Sequence, residues 1–312
     1  GDARTPFYFT LLAVALDIAF NPLLIMGVGP LPRMGIAGAA MSTLISQAIS
    51  MAAMLIYLYR TKSDLVLRGA DLRFLRPDPE IVRMLVVKGL PMGLQMAVVS
   101  ISALVMMTMI NGYGAATAAA YGVAFQLWTY LQMPAMAIGA GVSTFAAQNV
   151  GAQRWDRVDA TARSGIIINV ALTGALVAIV YLVDPFIVQA FLPSDPDASS
   201  MAEHINSIGA WAFIAFGVTF VLFGVVRATG AVTPPLLILI VSLFGVRIGI
   251  AALLQPTLGA DAIWWSFPAS MMTSMLLAMA YYRWGGWRKS RMTLRPLDPA
   301  PAVGAEKSPQ QV

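Results

Sequence analysis

Cysteine is absent, and the 312 residues hold a single histidine, His204. No disulfide frame, thiolate nucleophile or Cys-based metal site can be built. His-rich metal centres and most histidine-based catalysis are excluded with them. Charge is scarce as well. Asp, Glu, Lys and Arg make up 11% of the chain, against roughly 25% in an ordinary soluble domain. That shortfall excludes a soluble enzyme, a disordered solvating protein and a nucleic-acid binder. A membrane-embedded enzyme would need clustered His, Asp, Glu or Ser within its apolar segments, and none is visible. Gly139-Ala140-Gly141 has no strand before it and no Lys after it, so it reads as a helix-packing surface rather than a phosphate loop. No cofactor and no metal site is expected.

What the sequence has is apolar length. Hydrophobic residues make up 58% of the chain and the mean hydropathy is +0.74. A bilayer crossing needs about 20 mostly apolar residues. Eight stretches qualify: A 5–27, B 36–59, C 89–111, D 118–146, E 165–192, F 204–226, G 234–254 and H 262–284. Spans B, C and D contain no Asp, Glu, Lys or Arg. The runs are continuous, whereas barrel strands alternate over about 10 residues. The expectation is therefore an all-α integral membrane protein with eight transmembrane helices. Internal Pro22, Pro91, Pro134 and Pro268 are tolerated in such helices. Residues 1–27 have no charged n-region and read as a span rather than a signal peptide.

The Lys and Arg residues orient the chain. Eight crossings put 18 of the 20 on one side, including Arg4, seven in the B–C loop, Arg154, Arg157, Arg163, Arg227 and the tail. Only Arg33 falls opposite, and Arg247 lies within span G. The opposite loops carry Asp184, Asp195, Asp197, Glu203 and Asp261. This split predicts both termini in the cytoplasm of a multi-pass cell-membrane protein, a bacterial inner membrane being the natural setting. The B–C arginines suit the anionic cytoplasmic leaflet.

A weak internal repeat is present. Gly1-Asp2-Ala3-Arg4-Thr5-Pro6 before span A parallels Gly230-Ala231-Val232-Thr233-Pro234-Pro235 before span G. Gly35-Ile36-Ala37-Gly38-Ala39-Ala40 at span B parallels Gly259-Ala260-Asp261-Ala262-Ile263-Trp264 at span H. Six crossings separate the partners, so both copies point the same way, as in the halves of some secondary transporters. The later copy has six helices and the earlier shows only its last two. The 142 residues between Lys88 and Gly230 measure the four helices that would complete the first. The expected organisation is 1–59 as the last two helices of an N-terminal lobe and 60–88 as a cytoplasmic linker. Residues 89–288 would form a six-helix C-terminal lobe and 289–312 a disordered cytoplasmic tail.

An ionisable group inside a bilayer is a functional candidate by default. Asp17 is mid-span in A, and Asn21 lies one turn later on the same face. A carboxylate beside an amide can hold Na⁺ through oxygen ligands, or a proton. Thr43 and Gln47 on span B could join them. In span G, Arg247 reads as a structural anchor or as a partner of Asp261 or Asp184 rather than as a substrate contact. Asp184 reads as interfacial and solvated, and His204 as a satisfied interfacial residue. Gln95, Gln126, Asn169 and the methionines Met92, Met96, Met106, Met107 and Met109 could line a cleft, since thioethers adapt to varied apolar surfaces. Tyr121 and Trp128 could stack on a flat ligand. Trp264, Trp265, Trp284 and Trp287 sit at span ends and read as interface-belt residues.

Several motifs, taken in order, carry a family resemblance. They are Gly1-Asp2-Ala3-Arg4-Thr5-Pro6, Asn21-Pro22-Leu23-Leu24-Ile25, Gly29-Pro30, Gly38-Ala39-Ala40 and Ile45-Ser46-Gln47. They continue as Gly89-Leu90-Pro91, Ala146-Ala147-Gln148-Asn149-Val150-Gly151-Ala152, Arg227-Ala228-Thr229-Gly230 and Arg247. Over residues 1 to about 290 the chain resembles the MATE (multidrug and toxic compound extrusion) transporters, in their C-terminal two-thirds. The resemblance implies two six-helix lobes around a central cleft, with the first four helices missing from this sequence. It also implies export of small-molecule drugs or organic cations in exchange for Na⁺ or H⁺ by alternating access. Asp17, Asn21 and Thr43 would then couple the cation, with Gln47, Gln95, Gln126, Met92 and Met96 as cleft candidates. The family's first lobe commonly shows Asn, three residues, then Asp-Pro; here Asp17 and Asn21-Pro22 have the residue types exchanged. Spans C and F carry no carboxylate, which leaves coupling to the first lobe. Lipid-linked saccharide flippases share the superfamily, but their substrates favour several cations in the cleft. A non-transporting truncated product is the remaining alternative.

Overall fold

The computed structural model describes residues 4–27, 33–61, 66, 69, 77–191 and 196–289. Gly29-Pro30, the linker cations Lys62, Arg68, Arg73 and Arg76, Asp195, and the tail from residue 290 lie outside the described residues. Among the described residues every regular element is helical.

The helices are α1 (Arg4–Met26), α2 (Ile36–Arg60), α3 (Pro79–Asn111), α4 (Ala115–Gly151) and α5 (Trp155–Phe191). Next comes α6 (Pro196–Gly209), which runs through a 3₁₀ turn, Ala210–Ala212, into α7 (Phe213–Ala228). Then α8 (Thr233–Ile240) passes through a π-helical stretch, Val241–Ile248, into α9 (Gly249–Leu258). Finally α10 (Asp261–Trp284) is followed by a 3₁₀ turn, Gly286–Lys289. Gly259 stops α9 at positive φ, 59°, while its N–H closes on the Gln255 carbonyl at 2.9 Å. With ψ −132° this is not the αL cap but a conformation that glycine takes far more readily than other residues.

Two helices start ten residues earlier than the apolar runs foretell. Pro79, at the first turn where its missing N–H costs nothing, and Glu80, favoured at a helix N-terminus, begin α3 ten residues before span C. The amphipathic run 79–88 is thus continuous with it. Trp155 and Asp156 begin α5 ten residues before span E.

Among the described residues, six helical segments are long and apolar enough to cross a membrane: α1, α2, α3, α5, α6–α7 and α8–α9. The expected eight also included α4 and α10, which carry more polar side chains. These two helices are well covered by neighbours. Twelve residues of α4 and ten of α10 are buried.

The chain divides into two compact units, Gly1–Pro79 and Glu80–Val312. In the first, α1 and α2 pack through small residues. A Cβ on Gly38 would lie 2.5 Å from the Leu24 carbonyl oxygen. Ser42, Ser46 and Ser50 continue that buried row at four-residue spacing, and Ser50 Oγ donates to the Phe9 carbonyl at 2.5 Å. Helices without a hydrophobic drive between them associate by such close backbone approach.

In the second unit α4 packs against α5, α6 and α7. A Cβ on Gly224 would sit 2.5 Å from the Gly139 carbonyl oxygen, so α4 and α7 nearly touch. The core holds an aromatic cluster. Trp128 meets Phe267 at 5.0 Å and Phe213 at 5.8 Å, and Tyr121 stacks on Trp264 at 6.0 Å. This corrects three expectations. Tyr121 and Trp128 are buried packing residues with no face left for a ligand. Trp264 belongs to the same core rather than an interface belt. Trp287 is also buried, stacked on Tyr282 at 4.9 Å with its indole N–H donating to the Tyr282 carbonyl. Trp265 and Trp284 are exposed, as the belt reading requires.

Candidate functional site

The row of small residues on α2 sets the site. Because Gly38 brings the α2 backbone onto α1, the next turn places Ser42 and Thr43 opposite Asp17. Ser42 Oγ lies 2.8 Å from Asp17 Oδ1 and 3.2 Å from the Asp17 carbonyl. Thr43 Oγ1 donates to the same Oδ1 at 3.2 Å. One turn along α1, Asn21 Nδ2 reaches Asp17 Oδ2 at 3.5 Å. The sequence-based set Asp17, Asn21 and Thr43 is therefore brought together. Gln47 is exposed one turn further along α2, outside these hydrogen bonds. Ser42 was missed, although it is the nearest donor. Its signal was the spacing Gly38, Ser42, Ser46, Ser50.

The electrostatics of this group are one-sided. No Lys, Arg or His forms an ion pair with Asp17 among the described residues. Asn21 Oδ1 is buried and has no hydrogen-bond partner. A carboxylate, two hydroxyl oxygens and an orphaned amide oxygen form a hard, oxygen-only donor set. Such a set suits a small cation or a proton. Metal centres of the His, Cys, Asp and Glu type find no cluster of three or more ligands among the described residues.

The remaining candidates lie in the second unit. Met92 and Met96 are exposed on one face of α3, and Gln126 is exposed on α4. Gln95 faces the other way and is buried. Its Nε2 donates to the Val232 carbonyl at 3.0 Å, and its Oε1 accepts from the Arg227 guanidinium at 2.5 Å. Lys88 on the same face donates to the Gly230 carbonyl at 2.8 Å. The Gln95 amide thus clamps α3 to the α7–α8 turn. Asn169 is buried, donating to the Ala135 carbonyl and accepting from Thr173, so it holds α5 to α4. Met106 is fully buried in the core, not on a cleft.

Both carboxylates expected of Arg247 are engaged elsewhere. His204 Nε2 lies 3.0 Å from Asp261 Oδ1 and ties α6 to α10. Asp184 is buried, not solvated, and accepts from Asn206 Nδ2 at 2.6 Å. Arg247 therefore has neither carboxylate as partner. It sits in the π-helical stretch, donates from Nε to Ser270 Oγ at 2.9 Å and lies over the Phe267 ring at 4.6 Å.

Known proteins resemble this chain over most of its length. The MatE family profile matches residues 91–253. The chain is 33% identical over 295 residues to the Bacillus subtilis "Probable multidrug resistance protein YoeA", covering 94% of this chain and 63% of that protein. It is 32% identical over 292 residues to the "Probable multidrug resistance protein YpnP" of the same organism, again covering 94% and 63%. Among solved structures, a MATE in complex with MaL6 aligns at a TM-score of 0.81 and 19% identity, covering 91% of this chain and 63% of that one. The outward-facing conformation of a multidrug resistance MATE family transporter aligns at 0.81 and 18% identity, covering 91% and 62%. The chain thus spans 63% of the length of these curated relatives. With more than half of its residues matched by one family profile and its helices laid out as in MATE structures, the chain belongs to the MATE family, whose members are transporters and not enzymes.

Proposed function

We propose that this chain is part of a secondary-active multidrug efflux antiporter that exchanges organic cations or hydrophobic drugs for Na⁺ or H⁺ by alternating access. One observation carries the reading: a carboxylate in an apolar span, Asp17, is met by Ser42, Thr43 and Asn21 and, among the described residues, by no basic residue. An ionised carboxylate in a membrane span is costly, about 2.5–3.5 kcal/mol on insertion scales. A bound cation or proton removes that cost, and the orphaned Asn21 Oδ1 offers a further oxygen. Occupancy of such a site can bias a two-state transporter, because it contributes differential affinity only where the ligands converge.

The same reading includes eight crossings with both termini cytoplasmic, in a bacterial inner membrane. It assigns 1–59 to the end of one lobe, 60–88 to the linker and 89–288 to the other lobe, with four further helices belonging to the first. The greater length of the relatives is compatible with the four further helices. Small-molecule drugs are the expected substrates. The flippase alternative is less favoured, because Arg247 is the single cation placed away from the ends of the apolar spans.

The test uses the native gene product in everted membrane vesicles. An imposed Na⁺ or pH gradient is expected to drive accumulation of an organic cation dye, and intact mass fixes the length of that product. Dye movement that ignores both gradients would overturn the antiport reading.

A further inference from the structure

A groove between α4 and α5 has the polarity of a membrane lipid. The two helices are antiparallel and leave the same turn, 152–154, whose end of the bundle carries Arg154, Arg157 and Arg163. The groove encloses about 580 Å³. Near the turn it is lined by Asn149, Arg157, Thr161 and Ser164; away from it by Phe145, Ile138 and Ile168. Phe145 and Ile168 are 63% and 56% exposed, so the apolar end is open along its side.

The dimensions fit one leaflet. Arg157 to Ile168 on α5 and Asn149 to Ile138 on α4 each span eleven residues. At 1.5 Å per residue that is about 16 Å, close to half of a ~30 Å hydrocarbon core. A headgroup at Arg157 would therefore leave an acyl chain ending near mid-bilayer. Glycine opens the trough, since a Cβ on Gly141 would meet nothing within 4 Å.

The charge at the mouth is unspent. Arg154 is taken by Asp156 at 3.0 Å. Asp159, in an adjoining hollow with Arg163 and Ser164, is neutralised by Arg288 at 2.7 Å and by the Tyr282 hydroxyl. Arg157 and Arg163 have no ion-pair partner among the described residues. Basic pockets between membrane helices at a cytoplasmic surface recognise anionic headgroups. An organic cation would be repelled at the same place.

We propose that the α4–α5 groove is a binding site for an anionic phospholipid, with its phosphate at Arg157, Arg163 adding positive charge from the adjoining hollow, and one acyl chain along Phe145, Ile138 and Ile168. This site is built within the second unit; it rests on the membrane topology proposed above and not on the antiport reading. The test is native mass spectrometry of the detergent-purified protein titrated with phosphatidylglycerol and with phosphatidylcholine of the same chains. Each basic residue at a membrane surface favours anionic lipid by about fivefold. Phosphatidylglycerol is therefore expected to outbind phosphatidylcholine by at least about fivefold. The exposed double variant Arg157→Gln/Arg163→Gln should lose that preference yet keep weak binding of both. Gly141→Leu, which fills the trough without a clash, should weaken both lipids alike. Equal binding of the two lipids by the unaltered protein would overturn the proposal. So would a preference that survives the double variant, or displacement of bound lipid by tetraphenylphosphonium with both arginines intact.

Discussion

Replacing Asp17 by asparagine separates the chemistry of the site from its packing. Asp17 Oδ1 takes the hydroxyls of Ser42 and Thr43 at 2.8 and 3.2 Å. An asparagine carbonyl keeps both. The new amide nitrogen would face Asn21 Nδ2, now 3.5 Å from Oδ2. Turning over the Asn21 amide resolves that clash, because Asn21 Oδ1 has no partner and becomes the acceptor. Two charge-assisted hydrogen bonds of about 1.5–3 kcal/mol fall to neutral ones of about 0.5–1.5, a loss of about 2–3 kcal/mol in sum. Removing a formal charge from the span returns about 2.5–3.5 kcal/mol. The terms cancel, so the Asp17→Asn protein should unfold within a few degrees of the parent. Its gradient-driven dye accumulation in everted vesicles should fall to the level of vesicles lacking the protein. Gradient-dependent accumulation within about twofold of the parent would refute the coupling role. A fall in Tm of more than about 10 °C would refute the packing argument.

Other perturbations test the surrounding structure. Gly38→Val puts a Cβ 2.5 Å from the Leu24 carbonyl; overpacking of about 1–3 kcal/mol or more should appear as a lower Tm together with weakened coupling, since it pries Ser42 from Asp17. Gln95→Leu strips Arg227 of its acceptor and Val232 of its donor, and should cost about 1–3 kcal/mol in thermal unfolding, whereas Met96→Ala, on the exposed face, should cost almost nothing. Trp128→Ala should destabilise by about 3–5 kcal/mol and impair all substrates equally; selective loss of flat dyes with an unchanged Tm would restore the ligand-stacking reading. Asn206→Leu should lower Tm by leaving the buried Asp184 carboxylate without its 2.6 Å donor, and an added Asp184→Leu should recover part of that loss.

The helical character of the chain was legible because continuous apolar runs leave few alternatives, and the Asp17–Asn21 pair was legible because a carboxylate in such a run stands out. Pairings between distant residues were not. Nothing in the sequence distinguishes Asp261, which meets His204, from a partner for Arg247; that choice depends on how α6, α10 and the π-helical stretch pack. Tyr121, Trp128 and Trp264 were misread for a related reason. An aromatic residue in an apolar helix looks the same whether it faces lipid, ligand or core, and only the crowding of α4, α6, α7 and α10 decides.

Ser42 shows where the missing information lies. Read one residue at a time, it is a weak hydroxyl beside a better candidate, Thr43. Read with Gly38, Ser46 and Ser50, it belongs to the face that α2 buries against α1. The small side chains that let the two backbones approach also leave room for a carboxylate between them, and the serine in that row is the one that meets it. Packing and chemistry here share one determinant. A substitution anywhere along the Gly38–Ser50 row should therefore change the Asp17 site in proportion to how far it parts the helices. Ser46→Ala, which adds no bulk and removes a hydroxyl with no partner, should leave coupling intact, while Ser46→Leu should weaken it without touching Asp17. Equal effects of the two would place the determinant in the hydroxyl rather than in the spacing of the helices.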